Sequence, residues 1–382
     1  MTDDEIPQMP EDAAEFVDGA LNNKPELIVH SGDLPATAYA LRDLFAKAVH
    51  LFDRDMPVKL VQPANGGAME AKPLTVSSVV VEAHRLCQPV KIGIDEKYIP
   101  ITLPDRVARM YLDLIGEWNL PPLVGISSAP IIAADGTIRD IVGYDAASEL
   151  WCSNVPLLCV PTRAGHEDAS AALRLLRDAF KTFPFADAVR RYDPVLGNQI
   201  VDLDYPPGRD ESGFLSGLLT AVCRASLWLA PGCLIVAPQV SGAGSGKGLL
   251  VRAICVIAFG IRPRAFTAGH DRQELDKRIV AELVEAAPAL FLDNVNATVL
   301  SSATLASVLT ERPARVRLLG YSRMVALNSS AFIAVTGNGL TVSEDLARRF
   351  VYCELERNVR TPKRVRFRLG FSTKSRPAGG SC

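Results

Sequence analysis

The chain has 382 residues, of which 48% are hydrophobic and 22% are charged. This length allows two or three domains, and the composition is typical of globular proteins, which excludes general disorder and a continuous coiled coil. The 41 Lys and Arg residues nearly balance the 43 Asp and Glu residues, so the net charge of −2 excludes a generally basic protein that coats nucleic acid. Any binding of nucleic acid must therefore depend on local basic features.

Cysteine spacing and apolar segments indicate the compartment. The eight cysteines form no CxxC pair and the five histidines do not cluster with them, which argues against a zinc ribbon or a disulfide framework. The first 22 residues are acidic and lack the apolar core of a signal peptide. The most apolar segments, 218–238 and 248–261, contain arginines and do not match membrane spans. We expect a cytoplasmic protein with no membrane contact.

The N-terminal part predicts an acidic, mobile leader over residues 1–26 and a smaller α+β domain over 28–200, whose role the sequence does not indicate. Apolar spacing and turn residues predict its helices and strands. They are a helix at 36–49, strands at 51–53, 58–62, 90–94 and 99–103, a helix at 106–118, a small sheet of hairpins over 123–151, and a helix at 168–190.

A turn-rich segment, 202–210, marks the predicted domain boundary, and strands and helices alternate beyond it. The predicted helices are 212–229, 246–259, 274–285, 300–309 and 342–349, and the predicted strands are 234–237, 265–267, 289–292, 315–319, 331–335 and 351–355. Such alternation predicts an α/β domain over 212–356, with a mostly parallel sheet and helices on both faces. Residues 357–382 form a basic tail, which is either a solvated extension or a phosphate-binding arm.

The strongest functional signal is a glycine-rich segment between a predicted strand and a predicted helix. It reads Ser241-Gly-Ala-Gly-Ser-Gly-Lys247-Gly248. Strand, glycine-rich loop and helix form the context of a phosphate-binding loop (P-loop), in which backbone N–H groups and a lysine contact the phosphates. The predicted phosphate-binding residues are Gly242, Ala243, Gly244, Ser245, Gly246, Lys247 and Gly248.

The segment departs from the GxxxxGK[ST] pattern at both ends. Ser241 replaces the first glycine, and Gly248 replaces the Ser or Thr whose hydroxyl ligates Mg²⁺. We therefore expect the departures to affect metal-dependent turnover more than nucleotide binding.

A second signal lies 46 residues after Lys247, where four apolar residues precede Asp293. This pattern is typical of a buried strand that presents an acid beside the P-loop, and it makes Asp293 the candidate Mg²⁺ residue. The next residue is Asn294, whose amide cannot act as a general base. Three acids remain alternatives for that role: Glu285, Glu311 and Glu344.

A third strand, 331–335, is followed by Thr336-Gly-Asn338, and Asn338 suits a sensor of the terminal phosphate. The pair Arg348 and Arg349 comes ten residues later. Either arginine suits a finger that reaches the phosphates of a neighbouring subunit, although arginines at a solvated helix end would also fit the pattern.

This order of motifs resembles the superfamily 3 helicase group of AAA+ ATPases, particularly phage and plasmid primase-helicases. The matching segments are 242–248, 292–294, 309–312, 336–338 and 345–350, so the resemblance covers residues 212–356. It implies a ring of identical subunits that couples hydrolysis of ATP, with Mg²⁺, to translocation along the single-stranded DNA of a mobile element. It also implies a hairpin between residues 319 and 331 that touches DNA through Tyr321 and Arg323.

Two other functions stay open. A nucleotide-binding module with poor hydrolysis, acting in regulation or as a scaffold, would account for Gly248 and Asn294. A nucleotide kinase is suggested because Gly-x-Gly-Lys-Gly also resembles the adenylate kinase loop. That family has Thr where this chain has Leu249, and its loop lies near the start of the chain.

Overall fold

The computed structural model describes residues 24–64, 68–140, 142–153, 155–156, 163–240, 242–267, 271–296, 299–318 and 324–356. The predicted basic tail and the leader up to residue 23 lie outside these ranges. The chain divides into two compact units, one formed by Met1–Leu60 with Lys72–Pro122 and the other by Val61–Ala71 with Leu123–Cys382.

The first part of the described chain alternates short strands with three helices. In order, these elements are β1 (Glu26–Ile28), α1 (Leu34–Phe45), β2 (Leu51–Asp53), β3 (Pro57–Val61), β4 (Glu70–Pro73), α2 (Val76–Leu86), β5 (Gln88–Ile92), β6 (Tyr98–Pro100) and α3 (Asp105–Leu112). Apolar faces of the three helices form the core of the first unit, where the rings of Phe45 and Tyr111 lie 5.0 Å apart. The helix predicted to extend to Trp118 ends at Leu112, because the chain turns through Gly116 and the Trp118 indole donates to the Tyr111 carbonyl.

Residues 123–201 form small sheets and one long helix that belong to the second unit. These elements are β7 (Gly125–Ser127), β8 (Ile131–Ile132), β9 (Ile138–Arg139), β10 (Gly143–Asp145), β11 (Leu150–Cys152), α4 (His166–Phe180), β12 (Arg190–Asp193) and β13 (Asn198–Val201). The division after Pro122 differs from the boundary we predicted at 202–210. Its physical reason is packing, since Phe180, Phe185 and Val201 lie in the same core as Phe214 and Ile235.

The rest of the second unit contains the predicted strand and helix alternation. Its elements are α5 (Arg209–Val222), β14 (Gly232–Ala237), α6 (Lys247–Phe259), β15 (Ala265–Phe266), α7 (Arg272–Val284), β16 (Ala289–Leu292), β17 (Val299–Leu300), α8 (Ala303–Thr310), β18 (Ala314–Arg317), β19 (Met324–Leu327), β20 (Phe332–Asn338), β21 (Thr341–Val342), α9 (Glu344–Ala347) and β22 (Phe350–Glu354). Every residue of β14 and β16 is buried, as expected for strands inside a covered parallel sheet.

Five of these strands form one parallel sheet in the order β15-β16-β20-β14-β22, which confirms the predicted α/β class. The strand β20 lies between β14 and β16, with Asn338 opposite Ala237 and Val335 opposite Leu292. Because all five strands point the same way, the residues that follow β14, β16 and β20 meet at the carboxyl edge of the sheet.

Two further findings, on membrane-spanning helices and on cysteines, apply to the described residues. No helix among them combines the length and apolar character needed to cross a membrane. The six cysteines that the structure describes are unpaired, and five of them are buried.

Candidate functional site

The glycine-rich segment connects β14 to α6 at the carboxyl edge of the sheet. Gly244 and Gly246 have φ angles of 74° and 93°, in the left-handed region where a Cβ atom is strained. A side chain at Gly242 would overlap the Pro238 carbonyl oxygen and approach Asn338 Oδ1 to 2.5 Å. The glycines are thus required by the shape of this loop, in which Ala243 and Gly244 are exposed.

The loop ends in a helix N-terminus that has no protein cap. Gly246 is the N-cap of α6 and provides no side-chain hydrogen bond. Within the described part of the chain, the N–H groups of Gly244, Gly246, Lys247 and Gly248 donate to no protein acceptor. Free N–H groups in a glycine-rich loop before a helix form the arrangement that binds phosphate in proteins.

The Lys247 ammonium lies within this loop and reaches across to β20. Its Nζ donates to Gly242 O at 2.9 Å, to Ser245 Oγ at 3.2 Å and to Asn338 Oδ1 at 2.5 Å. Ser245 is buried, and its own hydroxyl donates to Gly242 O at 3.0 Å. Burial lowers the pKa of Lys247, and the negative charge of Asp293 opposes that shift. The structure therefore brings Lys247, Asn338 and Asp293 together, as the motif order predicts.

Three asparagines link the two polar strand ends. Asn296 Nδ2 donates to Asn294 Oδ1 at 2.6 Å, and Asn338 N donates to Asn296 Oδ1 at 2.8 Å. Asn294 adopts a φ of 61°, a left-handed conformation that asparagine tolerates better than most residues. Asn294 thus helps to hold Asn296 against the end of β20. Its amide cannot accept a proton from water.

Asp293 directly follows β16 and both of its carboxylate oxygens have partners. Oδ1 accepts a hydrogen bond from Thr336 Oγ1 at 2.6 Å, and Oδ2 lies 3.3 Å from Arg252 Nη2 in an ion pair. The Arg252 guanidinium also lies 5.5 Å from the centre of the Phe291 ring. An arginine on α6 therefore occupies the side of Asp293 that faces the P-loop helix.

These residues do not fit the Mg²⁺ that the motif pattern implies. Gly248 offers no hydroxyl, and a methyl group at this position would lie 3.2 Å from Asp293 Oδ2 but only 2.8 Å from Arg252 Nη1. Mg²⁺ requires nearly octahedral oxygen ligands, and a fixed positive charge beside its carboxylate opposes its entry. No cluster of three or more His, Cys, Asp or Glu side chains suited to a metal occurs among the described residues.

The predicted general-base alternatives have other surroundings. Glu285 follows α7, before β16 begins, and it forms an ion pair with Arg264 at 2.6 Å. Glu311 is exposed and accepts a hydrogen bond from Ser307 at 2.7 Å. Glu344 is the first residue of α9 and is exposed. No contact ties any of these three to Lys247 or Asp293 among the described residues.

Arg348 and Arg349 lie at the opposite edge of the sheet, immediately before β22. Gly232, the first residue of β14, pairs with Phe350, so about six strand residues, or roughly 20 Å, separate the arginines from the glycine-rich loop. Arg349 Nη1 donates to Ala306 O, and its Nη2 donates to Asp345. Arg348 keeps 73% of its side chain exposed. Neither arginine is placed to reach the P-loop of its own chain.

The predicted DNA-contacting residues Tyr321 and Arg323 lie outside the described residues. The strands on either side, β18 and β19, pair antiparallel with Arg317 opposite Met324. Along β18, Arg315 and Arg317 are exposed while Ala314 and Val316 are buried. The described part of the hairpin therefore has a basic face.

Three residues were not predicted from the sequence: Arg252 and Asn296 near Asp293, and Arg315 on β18. Arg252 lies one helical turn after Gly248, a spacing that predicts a shared helix face. Asn296 is the second asparagine of an Asn-Val-Asn segment directly after Asp293, and this repeated amide after an acid-tipped strand is the signal that could have indicated it. Arg315 could have been found from its alternation with buried residues.

Comparison of the chain with protein-family models and with curated proteins gave no match.

Proposed function

We propose that residues 212–356 form a P-loop nucleotide-binding domain of the AAA+ helicase type, which binds ATP at the loop between β14 and α6. The observation that carries this proposal is the grouping of Lys247, Asn338 and Asp293 beside four N–H groups that have no acceptor in the described chain. An ammonium group and free N–H groups at a helix N-terminus bind phosphate whatever base the nucleotide has. The contact between Lys247 and Asn338 connects the phosphate site to the strand whose amide would sense the terminal phosphate.

Placement of the arginines supports an assembly in which one copy completes the site of another. An arginine that acts on a terminal phosphate must lie within contact distance of it, and both arginines lie at the far edge of their own sheet. Both arginines pair with Asp345, but Arg349 is 18% exposed and also donates to Ala306 O, whereas Arg348 is 73% exposed, so Arg348 is the better candidate for a neighbour's site. This supports a homo-oligomeric ring.

The basic hairpin supports single-stranded DNA as the substrate of the motor. Arg315 and Arg317 extend the predicted contacts of Tyr321 and Arg323 along β18. Arginines on an exposed ribbon bind phosphates without sequence preference, as a translocating protein requires.

Calorimetric titration with ATP tests the nucleotide site. We expect wild-type protein to bind ATP, and Lys247→Ala to bind it about 100-fold more weakly, because the variant loses a charge-assisted contact in a partly desolvated site. Lys277→Ala is the matched control, since Lys277 is an exposed helical lysine paired with Glu274. Binding that survives Lys247→Ala unchanged, or wild-type protein that binds no ATP, contradicts the proposal.

A second candidate function is a nucleotide-binding module with little hydrolysis. The specific observation in its favour is the fixed amide of Asn294, at the position where a general base would follow Asp293. Phosphate release measured with and without single-stranded DNA separates the two. A DNA-stimulated rate favours the motor, and tight binding without turnover favours the module.

A further inference from the structure

Arg252 lies where the departures from the P-loop pattern meet. Its guanidinium forms the ion pair with Asp293 Oδ2, and its Nη1 would lie 2.8 Å from a Cβ atom at Gly248, the residue that replaces the metal-binding Ser or Thr. We propose that Arg252 takes over the charge-neutralising role of the divalent cation, so that this site binds metal-free nucleoside triphosphate with Arg252 in contact with its phosphates. The inference rests on the proposed nucleotide site and adds a residue and a ligand form to it.

Arg252 is positioned beside the N–H groups at the start of α6. Gly248 is one of the residues whose N–H group has no acceptor in the described chain, and Arg252 lies one turn further along the same helix. A Cβ atom at position 248 would stand 2.8 Å from Arg252 Nη1, so the guanidinium lies directly against the glycine. The guanidinium therefore adjoins the N–H groups that would hold an anion.

Asp293 and Phe291 orient the guanidinium of Arg252. Thr336 holds Oδ1 of Asp293 at 2.6 Å, which leaves Oδ2 facing Arg252. The ring of Phe291 supports the other face of the guanidinium. Asp293 therefore positions the arginine beside the start of α6.

The charge and shape of the guanidinium suit a phosphate ligand. Arginine keeps its charge at all accessible pH values, and its planar fork can donate to two phosphate oxygens at once. The side chain is 41% exposed, so several of its N–H groups remain accessible to a ligand while one contacts Asp293. Lys247 and Arg252 together provide two positive charges on one helix, beside its positive N-terminal dipole.

The test is calorimetric titration of the full-length protein with ATP in excess EDTA and, separately, in excess MgCl₂. We expect wild-type affinities in the two media to agree within about threefold, and Arg252→Ala to lose about tenfold or more in EDTA, because a charged phosphate contact is removed. Arg252→Lys, which keeps the charge but not the fork, should lose less than Arg252→Ala.

Arg174→Ala is the matched control, because Arg174 is an exposed helical arginine paired with Asp204 at 3.1 Å. It should bind ATP as the wild type does. Thermal unfolding of each variant identifies any loss of affinity that comes from misfolding. If Arg252→Ala unfolds, Arg252→Lys and the comparison of the two media in wild-type protein still decide the matter.

An exchange variant reverses the proposed substitution. Gly248→Ser combined with Arg252→Leu restores a hydroxyl next to Asp293 and removes the competing cation. We expect this variant to bind ATP about tenfold more tightly in MgCl₂ than in EDTA, since Asp293 and the new hydroxyl become available as oxygen ligands.

Two results would overturn the inference while leaving the nucleotide site intact. One is a wild-type affinity about tenfold or more higher in MgCl₂ than in EDTA. The other is an Arg252→Ala variant that binds ATP in EDTA as the wild type does. Absence of ATP binding in both media would instead refute the proposed nucleotide site, and the inference with it.

Discussion

The lysine side and the acid side of the carboxyl edge differ in how closely they follow a metal-dependent P-loop. On the lysine side, glycines with left-handed φ angles, an uncapped helix N-terminus and the Lys247 ammonium all match the requirements of phosphate binding. On the acid side, Asp293 is paired with Arg252 and the following residue is Asn294. The two sides lie on elements of the same sheet and share its geometry.

In the proposed site, phosphate binding and metal chemistry therefore depend on different elements. Binding depends mainly on backbone N–H groups and one lysine, all contributed by a continuous segment. Metal chemistry depends on side chains from separate strands, and there a single arginine changes the charge that a ligand meets. Three tests, two substitutions and one pH titration, examine this separation of binding from metal chemistry.

Of these three tests, the largest effect is expected for Gly246→Ala on the lysine side. Alanine at a φ of 93° costs about 1–2 kcal/mol in the free energy of unfolding and moves the N–H groups of the loop, so ATP affinity should fall about tenfold. Urea unfolding and calorimetry measure the two effects. Gly136→Ala is the matched control, with a φ of 82° and open space around it, and it should lose stability without losing affinity. Equal affinities of the two variants would show that the loop does not bind phosphate.

A smaller effect is expected from pH. Burial lowers the pKa of Lys247, so the ammonium loses its proton at a lower pH than an ordinary lysine, whose pKa is about 10.4. ATP affinity should therefore fall as the pH rises from 8 to about 10, while Lys247→Arg, which stays charged, should show a flat profile. Titration calorimetry at a series of pH values checks this. A flat profile for wild-type protein would mean that Lys247 does not contact the phosphates.

The smallest effect is expected for Asp293→Asn on the acid side. The variant loses the ion pair with Arg252 but also removes a negative charge close to a polyanion, so ATP affinity in EDTA should change by less than about threefold. The same measurement in MgCl₂ sharpens the comparison. A loss of about tenfold that occurs only in MgCl₂ would show that Asp293 binds a metal, and that the acid side follows the usual pattern after all.

Most elements of the second unit could be predicted because their signals are local. The strand at Ala289–Leu292 agrees with the prediction in every residue, and α6 ends at Phe259 as predicted, where Gly260 adopts a left-handed φ. The helix predicted over 342–349 spans only Glu344–Ala347, because Arg348 and Arg349 form a turn that leads into β22. Element ends depend on such turns, which pattern alone defines poorly.

The sequence by itself determined the order of strands and helices, the glycine-dependent shape of the loop, and the residues that end each polar strand. Each of these depends on neighbours along the chain, through backbone conformation and apolar period. Only the tertiary structure decided that β20 lies between β14 and β16, which atoms join Lys247 to Asn338, that Arg252 pairs with Asp293, and that Phe180, Phe185 and Val201 share a core with the sheet. These are contacts between segments far apart in the chain, and strand order and packing, which local signals do not encode, decide which distant side chains meet.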